Sequence, residues 1–293
     1  SSASRSLSNA PQHHLPSSRP CAGSHHAAGY SLTLMPRRPT NRGPRHKAGV
    51  TARVESRASP GLWSCWTTEW EPAVNPFPHD IFTEPSDVDP DTLANLGPLR
   101  RLAGRWEAHK GIDINPKAAA PERREFIERI AFDAIDPQTN GPQLLYGLRY
   151  HIHITTREED ITFHEQVGYW LWEPATGLVL QTLAIPRGQV ALASGKAGAD
   201  DDRLSLTATR GETQYGICST AFLDYGFRTD SYSIDITFDG DDVWSYDIRT
   251  MLLVHGRPDP FEHHDQNRLK RVAAGRPNPL KQILDRRAAH PSG

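Results

Sequence analysis

Between residues 99 and 272 the sequence alternates apolar and polar positions with the period of two that is typical of β-strands. In the segment QLLYGLRYHIHITT, for example, Leu148 and Tyr150 share one face while Arg149 and His151 share the other. About ten such segments follow one another at spacings of roughly 8–15 residues, with turn signals and almost no helix between them. This pattern predicts an all-β fold of about ten antiparallel strands.

A sheet with that number of strands usually removes its exposed edges by closing into a barrel. We therefore predict that residues 99–272 form a closed antiparallel barrel of the calycin or lipocalin kind. A barrel of this size can enclose a small-molecule cavity instead of filling its interior with side chains. The barrel is accordingly predicted to be a ligand-binding domain.

The segments on either side of the barrel have different compositions. Residues 1–61 are rich in Ser, Pro, Arg and His without periodicity, which predicts a disordered leader. Residues 62–98 form an aromatic and proline-rich strap that ends in a short helix, for which Asp91 or Thr92 can serve as the cap. Residues 273–293 are predicted to be a basic tail.

The charge distribution separates a basic leader from a mildly acidic body. The chain has 33 Lys and Arg against 35 Asp and Glu, a net charge of −2 that argues against a dedicated nucleic-acid binder. No segment approaches the ~18 consecutive apolar residues of a membrane helix, and the leader lacks the apolar core of a secretory signal. The three cysteines show no recognisable spacing, which favours a reducing compartment. We therefore predict a cytoplasmic protein without a membrane partner and without a nucleic-acid partner for the barrel.

Common catalytic signatures are absent from the sequence: a phosphate-binding glycine loop, a CxxC pair, a GxSxG elbow and an HExxH motif. The candidate site must therefore be assembled from histidines and aromatic residues on the strands. His263 and His264 lie next to each other in the last predicted strand, so at most one of them can face a cavity. His263 shares its face with Asp265 and Leu269, which favours His263 as the inward residue and Asp265 as its partner.

Several short segments occur in a characteristic order along the predicted barrel. GRWEA begins at Gly104, FHEQVGYW begins at Phe163, and IPRGQVALASG follows; Met251, Pro258, the histidine pair and the ending KRV complete the series. In this order the segments resemble the nitrobindin family, small heme-binding β-barrels related in shape to fatty-acid-binding proteins. The resemblance covers residues 99–272.

The resemblance implies a ferric heme b whose iron is bound by a C-terminal histidine as the proximal ligand. Face alternation favours His263 for this role, whereas a count back from Val272 favours His264. The resemblance further implies that the heme binds nitric oxide and, as assigned to some members, isomerises peroxynitrite to nitrate, which is chemistry of the iron. The residues expected to line the heme cavity are Trp106, Phe163, His164, Ile185 and Met251.

Two other functions stay open at this point. A heme-free barrel would carry a hydrophobic small molecule, and its histidines would then be incidental. A cupin-like metal enzyme is a third alternative, because His151 and His153 form an H-x-H pair on one strand face and Glu158 follows. All three alternatives give the barrel a small-molecule ligand, and a homodimer is an open alternative for the assembly.

Overall fold

The computed structural model describes residues 77–290, so the predicted leader and the first part of the strap lie outside the described residues. The described part consists mainly of one twelve-stranded sheet. The helices are α1 (Thr92–Asn95), a 3₁₀ helix (Gly97–Leu102), α2 (Ala221–Gly226) and α3 (Pro279–Ala289). The strands are β1 (Gly104–Asn115), β2 (Glu122–Ala134), β3 (Gln138–Asn140), β4 (Gln143–Thr155), β5 (Thr162–Glu173), β6 (Leu178–Ile185), β7 (Gln189–Lys196), β8 (Arg203–Arg210), β9 (Gly216–Ser219), β10 (Phe227–Phe238), β11 (Val243–Val254) and β12 (Phe261–Ala274).

Ten long strands form a closed ring. Their order is β2-β1-β12-β11-β10-β8-β7-β6-β5-β4, each neighbour is antiparallel, and β4 pairs back with β2 to close the barrel. The short β9 lies between β7 and β8 at one end, where it runs parallel to β8, and the short β3 forms a hairpin with β4. The prediction of an all-β closed barrel of about ten strands is confirmed.

Strand β4 shows why the alternating sequence folds in this way. Leu148 and Tyr150 are buried inside the barrel, whereas Arg149 and His151 are exposed on its outer face. Burying the apolar set of every strand on the same side gives the barrel its interior, because the side-chain period of a strand is two.

A β-bulge interrupts this alternation in β1. Ala108 pairs with Glu128 and Gly111 pairs with Phe126, so β1 has one more residue than β2 between these positions. Gly111 leaves the room that the Phe126 ring fills, since a Cβ at this glycine would lie 2.1 Å from Cε2 of that ring. Beyond the bulge the inward face of β1 passes from the even to the odd positions, and Asp113 is buried.

One end of the barrel is plugged. The 3₁₀ helix places Leu99 and Leu102, both fully buried, over this end. Trp106 lies beneath them at 1% exposure, and its Nε1–H donates a hydrogen bond of 2.7 Å to the carbonyl oxygen of Leu102. Its ring meets the edge of Trp244 at a centroid distance of 5.9 Å. The plug confines any internal cavity to the opposite half of the barrel.

The segment after the barrel, which the sequence predicts to be a basic tail, contains the eleven-residue helix α3. Asn278, fully buried, precedes this helix and attaches it to the barrel. Its amide donates to Asp136 (2.7 Å) and to the carbonyl oxygen of Pro90 (3.0 Å), and its side-chain oxygen accepts from the backbone N–H of Thr92 (3.1 Å). None of the helices in residues 77–290 has the length and apolar character that crossing a membrane requires.

Candidate ligand-binding site

A cavity of about 540 Å³ lies inside the barrel and opens at the end where β1 finishes and β12 begins. This volume falls within the range of roughly 300–1,000 Å³ that is typical of small-molecule sites. Two residues of α2, Phe222 and Leu223, contribute to the lining near the opening. The apolar wall comes from six strands: Ile130, Phe132, Ile152, Ile154, Trp170, Leu183, Ile234 and Ile248.

The adjacent histidines of β12 point in opposite directions. His263 lines the cavity, and its Nε2–H donates a hydrogen bond of 2.8 Å to Oδ1 of Asp113. His264 lies on the outer face, where its Nε2 is 2.8 Å from Oδ2 of Asp247. The structure thus gives the two histidines similar carboxylate partners but places only His263 where a bound ligand could reach it.

Two carboxyl groups flank His263 inside the cavity. Asp113 of β1 is paired directly with Asp265 of β12, and Asp265 shares a face with His263 two residues earlier. The Nε2 atom of His263 lies 3.5 Å from Oδ2 of Asp265, and Asn115 donates a hydrogen bond of 2.5 Å to Oδ2 of Asp113. Strand pairing therefore holds an imidazole and two carboxyl groups together on one patch of the cavity wall.

The three ionisable groups in this patch shift one another's pKa values. Burial and the neighbouring Asp113 carboxylate raise the pKa of Asp265 to about 7. Burial opposes a charged Asp113, but the hydrogen bonds from His263 and Asn115 lower the pKa of its carboxyl group below the usual value. Burial likewise opposes a charged His263, but its hydrogen bond to Asp113 and the charge of Asp265 raise its pKa. His263 and Asp265 can therefore keep a proton between them up to near neutral pH.

Glu128 is a second ionisable group in the cavity wall. The residue is 1% exposed, and its Oε2 accepts hydrogen bonds from the Tyr246 hydroxyl at 2.9 Å and from the Asn267 amide at 2.7 Å. Burial outweighs these two bonds and raises the pKa of Glu128 to about 7. The wall can therefore present a neutral carboxylic acid to a ligand at neutral pH.

Three of the sequence-predicted site residues, Phe163, His164 and Ile185, line the cavity near its opening. His164 lies 3.4 Å from Oε1 of Gln166, measured at Nε2. Burial and the nearby positive charge of Arg187 lower the pKa of His164 to about 4, so its imidazole is neutral at physiological pH. It can therefore offer a hydrogen bond without a charge.

Positively charged side chains surround the opening. Lys117, Arg124 and Arg187 all contribute to the cavity lining and are partly or largely exposed. The guanidinium of Arg124 lies 5.7 Å from the centre of the Phe163 ring. Such cations can bind carboxylate groups of a ligand whose apolar part occupies the interior.

The structure places two other predicted site residues away from the cavity. Trp106 belongs to the plugged end, where the guanidinium of Arg271 covers its ring at 4.3 Å. Met251 lies on the outer face of β11, because its neighbours Thr250 and Leu252 are the residues that point into the cavity. Neither residue therefore lies with the histidine patch.

The H-x-H pair of the cupin-like alternative also lies outside the barrel. His151 and His153 are stacked on the outer face of β4 with ring centroids 6.5 Å apart. His151 lies 3.3 Å from Glu165 rather than beside Glu158. The structure thus does not gather these residues into an internal metal site.

Sequence reasoning missed two of the groups that define the wall. Glu128 had a readable signal, because it is the charged residue on the apolar face that Phe126, Ile130 and Phe132 form in β2. Asp113 had none, since the β1 bulge that turns it inward leaves no mark in the alternation of the sequence.

The fold and site together define a class of protein: a closed β-barrel with an internal ligand cavity, entered from one end and carrying an imidazole on its last strand. Residues 95–271 match the family model described as the THAP4-like, heme-binding beta-barrel domain, and the chain belongs to this family. The resemblance to the nitrobindin family that the sequence indicates is thereby confirmed.

Comparison with solved structures gives a further similarity. The crystal structure of Rv2717c from M. tuberculosis aligns with a TM-score of 0.44 and 21% sequence identity, over 63% of this chain and 99% of that chain. No curated protein matches the chain.

Proposed function

We propose that the cavity binds heme b and that His263 is the axial ligand of its iron. The observation that carries this proposal is the position of His263: its imidazole lies on the cavity wall of a barrel that belongs to a heme-binding family. His264, the other histidine that the sequence offers for this role, is on the outer face with Asp247.

The residues around the cavity fit such a group. Asp113 holds one ring nitrogen of His263, and the other, Nδ1, has no hydrogen-bond partner within residues 77–290. Metal-binding histidines commonly have one ring nitrogen held by a carboxylate in this way. The apolar wall suits a porphyrin, and Lys117, Arg124 and Arg187 at the opening suit its two propionate groups.

We extend the proposal to nitric oxide binding and to the isomerisation of peroxynitrite to nitrate. When bound, the heme supplies the iron chemistry of both activities. The chain's own contribution is to orient His263 through Asp113, to keep His164 neutral at the opening and to limit water with the apolar wall. The cytoplasmic location stays a prediction, and the homodimer stays an open alternative.

Titration of the purified full chain with hemin tests this proposal. We expect a Soret band distinct from that of free hemin, a shift of the band when nitric oxide is added, and loss of the band in His263→Ala. His264→Ala is the matched control, because it removes the neighbouring imidazole on the outer face and should retain the band.

A heme-free carrier is the second candidate, favoured by the cationic opening above an apolar interior. An anionic amphiphile such as a fatty acid would place its carboxylate at the opening and its chain along the wall. If hemin gives only the spectrum of free heme while a long-chain fatty acid displaces a fluorescent probe from the cavity, the heme proposal is wrong and the carrier is favoured.

A further inference from the structure

We propose that Asp113, His263 and Asp265 form a binding site for one divalent transition-metal ion in the heme-free protein. The set combines an imidazole with two carboxyl groups, which are donors that Zn²⁺, Co²⁺, Fe²⁺ and Mn²⁺ all accept. The site shares His263 with the heme proposal but does not depend on it, because it rests on contacts among these three side chains and does not require a porphyrin.

The spacing of the donor atoms matches that of ligands around one ion. Nε2 of His263 lies 2.8 Å from Oδ1 of Asp113 and 3.5 Å from Oδ2 of Asp265, and one donor atom from each residue lies within 4.8 Å of the other two. Ligands about 2.1 Å from a metal ion at tetrahedral or octahedral angles are roughly 3.0–3.4 Å apart. Small side-chain movements would therefore complete the coordination.

The backbone fixes the three donors before any ion arrives. His263 and Asp265 are two residues apart on β12 and share its inward face, and Asp113 is the direct cross-strand partner of Asp265 on β1. Two carboxylates in such opposite positions repel each other unless a proton or a cation lies between them. The pairing of β1 with β12 thus places two carboxyl groups where a positive charge would stabilise them.

Within residues 77–290 neither aspartate forms an ion pair with a lysine or arginine, and His263 is their sole basic partner, so a metal ion would compete only with the protons that this patch holds. A third carboxyl group, that of Glu128, lines the same cavity and is 1% exposed. Its Oε2 is bonded to Tyr246 and Asn267, whereas its Oε1 has no hydrogen-bond partner in that part of the chain. Oε1 is therefore available to a water on the ion or to a ligand beside it.

Three protein donors leave at least one coordination position open towards the cavity. Metal sites of this kind hold water or a small ligand at the open position. The proposed ion would therefore be accessible from the cavity opening and could bind an anionic or carbonyl group of a molecule that enters it.

Metal titration of the full chain after chelator treatment tests the site. We expect isothermal titration calorimetry to show one Zn²⁺ ion bound per chain. Co²⁺ should give the visible absorption spectrum of a protein-bound ion. Asp265→Asn and Asp113→Asn should each weaken binding at least tenfold, and His263→Ala should abolish it. Asp247→Asn and His264→Ala are the matched controls, since they change a histidine–carboxylate pair with the same 2.8 Å separation on the outer face, and they should bind normally.

Three results would overturn the inference: no Zn²⁺ or Co²⁺ binding, undiminished affinity in both aspartate variants, or binding that disappears in His151→Ala/His153→Ala on the outer face. Circular dichroism of each variant verifies the fold, and Asp265→Asn gives the decision if Asp113→Asn does not fold. The hemin titration is scored separately. Metal binding without a hemin Soret band contradicts only the heme proposal, and a Soret band without metal binding contradicts only the metal site.

Discussion

Two histidine–carboxylate pairs start from neighbouring residues of β12 and lie on opposite sides of the barrel wall. His263 with Asp113 and His264 with Asp247 have the same separation of 2.8 Å. Asp113 is almost fully buried beside a second carboxyl group, whereas Asp247 also binds the exposed Arg249. The donor–acceptor distance alone therefore does not define a binding site, because burial and neighbouring groups decide whether a pair can contact a ligand.

The largest expected difference between the pairs is in stability. Asp113→Ala leaves the buried donors of His263 and Asn115 without their acceptor, which should lower the free energy of unfolding by about 1–3 kcal/mol. Asp247→Ala removes a partner from the surface and should cost about 0–1 kcal/mol. Urea unfolding of both variants measures the difference, and equal losses would contradict the distinction between the pairs.

A second expected difference lies between the carboxyl groups of the two faces, Glu128 on the cavity wall and Asp247 on the outside: the sign of the pH dependence of stability. In the fold, burial raises the pKa of Glu128 to about 7, whereas in the unfolded chain the pKa of a glutamate is about 4.3. The folded protein then binds more protons than the unfolded chain, so stability falls as the pH rises through this interval. We expect Glu128→Gln to flatten this decline in urea unfolding measured across it.

Asp247 on the outer face should show the opposite pH dependence of stability. Although partial burial opposes the shift, hydrogen bonds from Arg249 and His264 lower the pKa of Asp247. Its contribution is present above the unfolded pKa, about 3.9, and is lost as the pH falls through the lower folded value. Asp247→Asn should therefore leave the decline towards pH 7 unchanged, and a decline of the same slope in Glu128→Gln would contradict the role of Glu128.

The smallest expected difference is in the response to salt. A double-mutant cycle on Asp247 and His264 should give a coupling free energy of about 0.2–1 kcal/mol that approaches zero in about 1 M salt. The same cycle on Asp113 and His263 should change little, because salt screens buried pairs much less. Equal salt dependence would mean that solvent reaches both pairs alike.

The features of this molecule that the sequence predicts are those that depend on regular strands. The alternation is regular from Leu148 to Ile154 in β4 and from Tyr232 to Phe238 in β10, so the barrel and the inward faces of these segments could be predicted from residue order alone. The same reasoning favours His263 over His264 as the inward residue, and the structure places them in that way.

The rest depended on features without a periodic signal. Helix α3 is short and polar and is held by a few contacts near its start, among them those of Asn278 and Leu280 with Asp136, so the composition of a basic tail conceals it. Trp106 looked like a cavity residue, but the plug formed by Leu99 and Leu102 closes the barrel above it. Both cases rest on contacts between distant parts of the chain, which one sequence does not display.

The bulge in β1 acts on its strand as a one-nucleotide insertion acts on a reading frame. Upstream of it the interior receives Trp106 and Ala108, and downstream it receives Gly111 and Asp113 instead of Ile112. The chemistry of the cavity wall is therefore set by the number of residues as well as by their identity. A relative that lacks this extra residue would present isoleucine opposite position 265, and its barrel could keep the same fold while losing the acidic patch.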